Sequence, residues 1–443
     1  MNVLKCFGQA VAAIAVAGSV QAAVAAAPES WPTFRGIGRT AVSPDTNLLE
    51  KWPDDGPPLV WRTTGAGRGY SSIAVAGGKV YTAGDTLPGA PDTDEYLQCF
   101  DQKTGKRLWM QKTAPLWSDT KDGWQSPRST PTVDGDHVYI ISASGVLVGC
   151  KTSDGSEIFR VDLKKDFGGK KGDGWGYSES VTIDGDKLIC TPGGTKTTMA
   201  ALDKNTGKVI WKTVREGDKG AGHASSVVSQ IGGTKVYVTT TASGGLGVRA
   251  DDGKILWTYP IPDTTAVIPT PIVRNDLVFI CMGYGSGGGA LLKQVSQPGN
   301  EVKVEELYPL KAELKNKHGG VVLVGDYIYA DSDSKGLPYC AEFLTGKIQW
   351  NEKRSSFGGK GSASIAAADG HLYIKYENGV MVLAKADPSA FKEISSFKPP
   401  GAGERSSWAH PVIVDGMLFL REQDSVMCYD IRSKSGNSNA AGQ

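Results

Sequence analysis

Eight strand pairs at regular spacing, a turn that repeatedly ends in an aromatic, and a last unit one strand short predict an all-β chain. The architecture they imply is an eight-bladed β-propeller, four antiparallel strands per blade, with the ring closed by an N-terminal strand. The pairs are Val80-Tyr81, Val138-Tyr139, Leu188-Ile189, Val236-Tyr237, Val278-Phe279, Ile328-Tyr329, Leu372-Tyr373 and Leu418-Phe419, 42 to 58 residues apart. The turn reads TGKRLW at 104–109, DGSEIF at 154–159, TGKVIW at 206–211, DGKILW at 252–257 and TGKIQW at 345–350; units five and seven lack a clear copy. Its Gly supplies the positive φ of a tight hairpin. After His410 only three strands fit, around 411–414, 417–421 and 426–430, while Leu59-Val60-Trp61 reads as a fourth strand without a first three. The two ends therefore complete one sheet, and closure removes the exposed edges that invite aggregation.

Composition agrees with a turn-rich β chain. Of 443 residues 57 are Gly, and 48 Lys+Arg nearly balance 47 Asp+Glu, which argues against a dedicated nucleic-acid binder. Residues 1–22 read as a signal peptide: Lys5 gives a positive start, Val11 to Val20 are apolar but short, and Val20-Gln21-Ala22 fits the cleavage pattern. The remaining expectation is an N-terminal arm at 23–58, the propeller at 59–432 and a disordered C-terminal tail at 433–443. No transmembrane segment is expected after signal cleavage, so the chain is periplasmic or secreted. Cys6 precedes the apolar run, where an acylated cysteine would not lie. Cys99, Cys150, Cys190, Cys281, Cys340 and Cys428 form no CxxC or CxxCH. That excludes a c-type haem attachment and a zinc ribbon, and the thiols read as small buried hydrophobes.

Topology selects the working face. In an up-down-up-down blade, the first and third turns lie at one end, and the second turn and the crossover lie at the other. The first and third turns are tiny, as at Gly77-Gly78, Asp134-Gly135, Asp184-Gly185 and Asp369-Gly370. The long segments (crossovers 111–127, 161–177, 213–222 and 397–407; second turns 84–95, 191–197, 283–289 and 331–337) are all of the other kind. One rim thus gathers every long loop. Trp117, Trp124, Trp175, Tyr177, Tyr284 and Trp408 give it aromatics, Arg68, Arg128, Lys360 and Arg405 cations, and Asp119, Asp122 and Glu179 carboxylates. Aligning the repeats puts Tyr70, Arg128, Ser178, His223, His318, Ser362 and Trp408 near the starts of successive inner strands. The candidate ligand-binding set at the funnel mouth is Tyr70, Arg128, Tyr177, Glu179, His223, His318, Lys360, Trp408 and His410. Arg and His suit carboxylates and Trp suits stacking, so a planar anion fits such a funnel. Histidines from opposite walls rarely meet at ligand distance, so no metal site is assigned. The lysines of 164–171 read as a solvated loop. GYGSGGGA at 283–290 lacks the strand-to-helix context of a phosphate loop. No catalytic residue is assigned; Glu179 is a candidate base without a second element to support it.

The turn-plus-Trp repeat resembles the pyrroloquinoline-quinone (PQQ) repeat of quinoprotein dehydrogenases, also the repeat of the BamB-like assembly propellers. WPTFRG at 31–36 and SWAHPVIVDGMLFLREQDSVMCYD at 407–430 resemble an exported branch of these propellers without an assigned function. The resemblance spans roughly residues 31–432 and is specific for fold. It implies a ligand- or protein-binding scaffold that meets an envelope protein or small ligand through its long-loop face. The alternative it implies is a PQQ-dependent alcohol dehydrogenase of the polyvinyl-alcohol type, with quinone and calcium in the funnel. Departures from that enzyme pattern are the missing vicinal Cys pair, the missing CxxCH and the absence of a matching Glu, Asn and Asp trio for calcium.

Overall fold

A computed structural model describes residues 30–117, 126–332, 335–351 and 354–433. The signal segment, most of the C-terminal tail, and Trp124, Asp119 and Asp122 lie outside the described residues. The strands form eight four-stranded antiparallel sheets, an eight-bladed β-propeller. Blades 1 to 7 span 74–115, 132–162, 182–213, 227–260, 272–311, 322–351 and 363–397; blade 8 spans 412–430 and borrows Leu59–Thr63. That borrowed strand pairs antiparallel with Ser425–Asp430, Trp61 facing Cys428 and Thr63 facing Val426, and it closes the ring. The second and third strands carry the core. Val80, Val138, Leu188, Val236, Val278, Ile328, Leu372 and Leu418 are all buried between neighbouring sheets.

The repeated aromatic locks each blade to the next. The indole N–H of Trp61 donates to the Gln102 carbonyl at 2.9 Å, Trp109 to Thr152 at 3.2 Å, Trp211 to Ala250 at 3.1 Å and Trp350 to Asp387 at 2.9 Å. Each ring also covers the turn of the following blade. A Cβ on Gly105 would lie 2.4 Å from the Trp61 ring, so that glycine serves both the turn, at φ 68°, and the ring above it. Units five and seven, which lack the turn motif in sequence, keep the device with other aromatics. The Tyr308 hydroxyl donates to the Phe343 carbonyl at 3.0 Å, and Phe397 packs on Trp52 and Tyr429 with ring centres 5.1 and 5.2 Å apart.

Around the channel a second belt joins the blades. The amide of Ser72 donates to the Thr130 hydroxyl, Thr130 to Ser180, Ser180 to Ser225, and Ser225 to Thr270; His410 donates back to Ser72. These amides precede the inner strands, so no neighbouring strand satisfies them, and a hydroxyl from the next blade does.

Residues 30–52 thread this channel. Trp31 pairs with Val75 of blade 1 and Pro32 accepts from Val133 of blade 2. Arg39 reaches blades 3 and 4, Arg35 reaches blade 6 at the Val321 carbonyl, and Ser43 donates to Ala367 of blade 7. Leu49 then donates to Ile431 beyond blade 8, and Trp52 packs under blade 7. The six cysteines are buried and unpaired. Among the described residues no helix is long and apolar enough to cross a membrane.

Candidate functional site

The inner strands begin at Ala74, Thr132, Thr182, Val227, Ile272, Val322 and Val412 in blades 1 to 6 and 8. The residues at one register before them are Tyr70, Arg128, Ser178, His223, Ile268, His318 and Trp408, and all seven line one cavity of about 350 Å³. An extended chain turns alternate residues to the same side. The positions two further on therefore line it as well, at Ser72, Thr270, Gly320 and His410. The fold converts one repeat position into a ring of side chains, and the chemistry of the site is whatever each blade places there.

Most of that ring is aromatic and continuous. The Arg128 guanidinium lies 5.1 Å over Tyr70 and 5.8 Å over Trp117. Tyr70 tilts against Trp408 at 4.6 Å, Trp408 against His318 at 4.7 Å, and His318 meets Tyr284 edge-on at 6.2 Å. Tyr284 stacks on Trp175 at 6.5 Å, with the Lys317 ammonium 4.7 Å over its ring. Phe34 and Arg35 of the threaded arm complete the lining from within the channel. Arg35 is 2% exposed, and its Nη1 has no hydrogen-bond partner among the described residues. Burial lowers its pKa to about 10, so it remains a cation at neutral pH. Among the described residues the lining thus holds Arg35, Arg128 and Lys317 against one carboxylate, Glu377, which accepts from the Ser406 hydroxyl at 2.7 Å. A cation left short of acceptors in a low-dielectric pocket favours an anionic occupant.

One wall is a hydrogen-bonded chain of titratable groups. Asp173 Oδ2 lies 2.9 Å from His223 Nε2, and His223 Nδ1 lies 2.5 Å from the Ser178 hydroxyl. Burial pushes the Asp173 carboxyl up, but His223 and Lys171 outweigh it and hold it down at about 2. Burial and the Lys171 charge lower His223 to about 4 against the pull of Asp173. Lys171 is not a solvated residue, as its loop suggested. Its ammonium donates to the Gly222 carbonyl at 2.6 Å and lies 3.7 Å from Asp173, and burial lowers it to about 8. The preceding lysines sit on a short helix, Leu163–Phe167, capped by the Asp162 carboxylate.

Six of the nine residues picked from sequence line the cavity: Tyr70, Arg128, His223, His318, Trp408 and His410. Three do not. Tyr177 and Glu179 flank Ser178, so the alternation of an extended chain turns them away from the channel. The Tyr177 hydroxyl donates to the Pro192 carbonyl at 2.8 Å, and its ring packs in the core between blades. Glu179 is buried behind the wall, accepting from the Thr191 amide at 2.7 Å and hydroxyl at 3.0 Å. Lys360 is exposed, and blade 7 contributes Glu377 to the lining instead. Among the lining residues that the nine omit are Ser178 and Ile268, which share the repeat register, and Phe34, Arg35, Lys317 and Glu377, which do not.

Burial raises Glu179 to about 7, against the Thr191 bonds and the Arg39 and Lys171 charges. A carboxyl that holds its proton in the fold but not in the unfolded chain stabilises fully below the unfolded value near 4.5. That contribution fades as pH rises and is gone above about 7. Glu179→Gln keeps both Thr191 partners through its amide oxygen and nitrogen. It is therefore expected to gain roughly 3 kcal/mol relative to the parent between pH 4.5 and 8, read as the difference in urea midpoints at the two pH values.

A PQQ–calcium pair fits this cavity in part. The guanidinium and ammonium groups and the aromatic belt suit a planar polycarboxylate. The calcium half does not fit, because calcium takes six to eight oxygen ligands with several carboxylates. Among the described residues Glu377 is the one acid in the lining, and no group of three His, Cys, Asp or Glu is placed to hold a metal ion. His223, His318 and His410 do line the same cavity, but His223 spends both ring nitrogens on Ser178 and Asp173.

The fold and the ring of repeat positions define a PQQ-repeat-like propeller with a central ligand-sized cavity. Residues 93–352, over half of the chain, match the family described as "Outer membrane protein assembly factor BamB", and the chain belongs to that family. BamB of Shewanella oneidensis is 24% identical over 243 residues, 52% of this chain and 58% of that protein. BamB of Nitrosomonas eutropha is 24% identical over 282 residues, 59% of each. The matched region thus spans less than two thirds of either relative. Among solved structures, BamB from Moraxella catarrhalis superposes with a TM-score of 0.57 at 14% identity, covering 86% of this chain and 99% of that one. A quinohemoprotein alcohol dehydrogenase from Comamonas testosteroni superposes with a TM-score of 0.62 at 13% identity, covering 95% and 83%. At such identities the likeness is one of fold, shared by assembly factors and enzymes alike.

Proposed function

We propose that this chain is an exported binding propeller whose long-loop face takes a small planar anion into the central cavity. The observation that carries the reading is the buried Arg35 cation, whose Nη1 has no partner among the described residues, in a lining where Arg128, Lys317 and an aromatic belt share the cavity with one described carboxylate, Glu377. The leader-like segment at 1–22 and the family membership support work in the periplasm or outside the cell. An envelope protein would meet the same rim, since the long loops surround the cavity mouth. A cavity of about 350 Å³ admits a small molecule or one presented side chain, not a folded surface. The quinoprotein reading has the superposition with an alcohol dehydrogenase in its favour and the lining's shortage of oxygen donors for calcium against it.

The test is a tryptophan-fluorescence titration with PQQ as a planar tricarboxylate probe, with and without calcium. Binding in the micromolar range without calcium is expected. The double variant Arg128→Ala/Trp408→Ala should weaken it at least about tenfold, because a charge-assisted bond and a stacking face are both lost, while the far-ultraviolet circular dichroism stays that of the parent. Absence of binding would overturn the reading. Calcium-dependent binding with dye reduction by alcohols would replace it with the quinoprotein.

A further inference from the structure

We propose that Ser178 is a nucleophile, with His223 its base and Asp173 the residue that positions the base, and that the cavity hydrolyses small aryl esters. The inference rests on the cavity being open to a small ligand, as proposed above. It adds a chemical step that neither the family nor the fold assigns.

An ionised carboxylate only accepts, so the 2.9 Å contact between Asp173 Oδ2 and His223 Nε2 requires the proton on Nε2. The neutral ring then presents a lone pair at Nδ1, and the 2.5 Å contact there makes Ser178 the donor. A serine O–H aimed at an imidazole whose other nitrogen is fixed by a buried aspartate is the arrangement that activates serine for acyl transfer. The ring runs in the opposite sense from the usual triad, with serine on Nδ1, but either nitrogen can take a proton. The His223 amide donates to Val267 at 2.7 Å, and its side chain and that of Asp173 are 7% and 3% exposed, so the pair is held rigidly. Ser178 and His223 both line the cavity, and Asp173 lies behind them. The chain of contacts also has a charge to meet a developing oxyanion, since Arg128 lines the same cavity and acts electrostatically on His223. The Tyr70–Trp408 pair offers the face on which an aryl group rests.

The step balances without a co-reactant other than water. Ser178 Oγ bonds to the ester carbonyl carbon as its proton passes to His223 Nδ1 and the carbonyl electron pair moves to oxygen. The tetrahedral adduct collapses, the carbon–oxygen bond to the aryl group breaks, and the leaving phenoxide takes the proton from Nδ1. Water then attacks the acyl-serine, giving its proton to Nδ1. That proton returns to Ser178 Oγ as the carboxylic acid departs.

The experiment exposes the full chain to a fluorophosphonate probe and, separately, to p-nitrophenyl butyrate. The expected result is one phosphonyl adduct per chain, mapped by peptide mass to Ser178, and steady release of p-nitrophenolate. Ser178→Ala should abolish the adduct and reduce turnover roughly 100-fold or more. Asp173→Asn should lower kcat with little change in KM, because the wrong nitrogen then carries the proton. A parent that takes up no adduct, an adduct elsewhere, or turnover unchanged in Ser178→Ala overturns the nucleophile. PQQ binding in the same sample separates that failure from failure of the cavity itself.

Discussion

Lys375→Met is expected to destabilise the propeller by about 4 kcal/mol, and Glu422→Gln in the same chain to restore at least half of that. The side chains of Lys375 and Glu422 are 0% and 1% exposed, with nitrogen and oxygen 2.7 Å apart. The ammonium spends its other two donors on the Ala409 carbonyl at 3.0 Å and the Arg421 carbonyl at 2.7 Å. Nothing about it is left for solvent. Methionine fills a similar volume but abandons a buried carboxylate, whose other side-chain partner among the described residues is the Ser407 hydroxyl at 2.5 Å. Removing one member of such a pair costs far more than removing both, because the uncompensated charge is the expensive species. Urea midpoints of the parent, single and double variants at pH 7 measure all of this. A single variant within about 1 kcal/mol of the parent, or a double no more stable than the single, would contradict the account. The site should feel it too: the Ala409 carbonyl that Lys375 holds lies between Trp408 and His410, so the PQQ probe should bind the single variant more weakly.

The blade count was legible because it depends on local pattern. An apolar–aromatic pair in each second strand and a glycine turn before each aromatic are properties of consecutive residues, and the missing fourth strand of the last unit pointed to Leu59–Thr63. The site was legible only where the same repeat register reached. Tyr70, Arg128, His223, His318 and Trp408 share a position and share the cavity. Ser178 shares it too and was visible as an equivalent. Tyr177 and Glu179 enter the candidate set as a rim aromatic and a rim carboxylate, but they flank Ser178, and a period of two sends neighbours to opposite faces. His410 lies at the next inward position, two residues after Trp408, for the same reason. What no repeat could reveal is the arm. Phe34 and Arg35 belong to no blade, and their place in the lining depends on carbonyls hundreds of residues away, such as Val321. The aspartate behind His223 was hidden similarly, since Asp173 lies 50 residues from its partner in a crossover that follows no repeat.

Arg39→Met is expected to release that arm and abolish ligand binding, although Arg39 does not line the cavity. Its guanidinium is 6% exposed and acts as the anchor of the threaded segment. Nε donates to the Ser226 carbonyl at 2.9 Å, and Nη2 to the Ser180 and Val181 carbonyls at 2.8 and 2.7 Å and the Thr182 hydroxyl at 3.1 Å. Nη1 turns back to Thr33 Oγ1 and the Phe34 carbonyl, both at 3.3 Å. One planar fork therefore joins blades 3 and 4 to the residue that lines the cavity. The segment needs such an anchor, because Arg35, Arg39 and Ala41 all sit at positive φ, 64°, 57° and 56°, each costing roughly 1 kcal/mol or more for a residue with a side chain. Methionine leaves the carbonyls without a donor and the strain without compensation. A loss of about 3 kcal/mol is expected from the abandoned acceptors. Phe34 and Arg35 should leave the lining together, opening the cavity toward the short-turn end and removing the cation whose Nη1 has no hydrogen-bond partner among the described residues. Affinity for the PQQ probe should then fall at least about tenfold, and the chain should become cleavable by protease between residues 33 and 43. Arg39→Lys separates charge from shape: a point charge meets one or two of the six acceptors, so an intermediate affinity is expected. A variant that kept parental affinity after cleavage of the arm would show that the cavity holds its ligand by the blades alone.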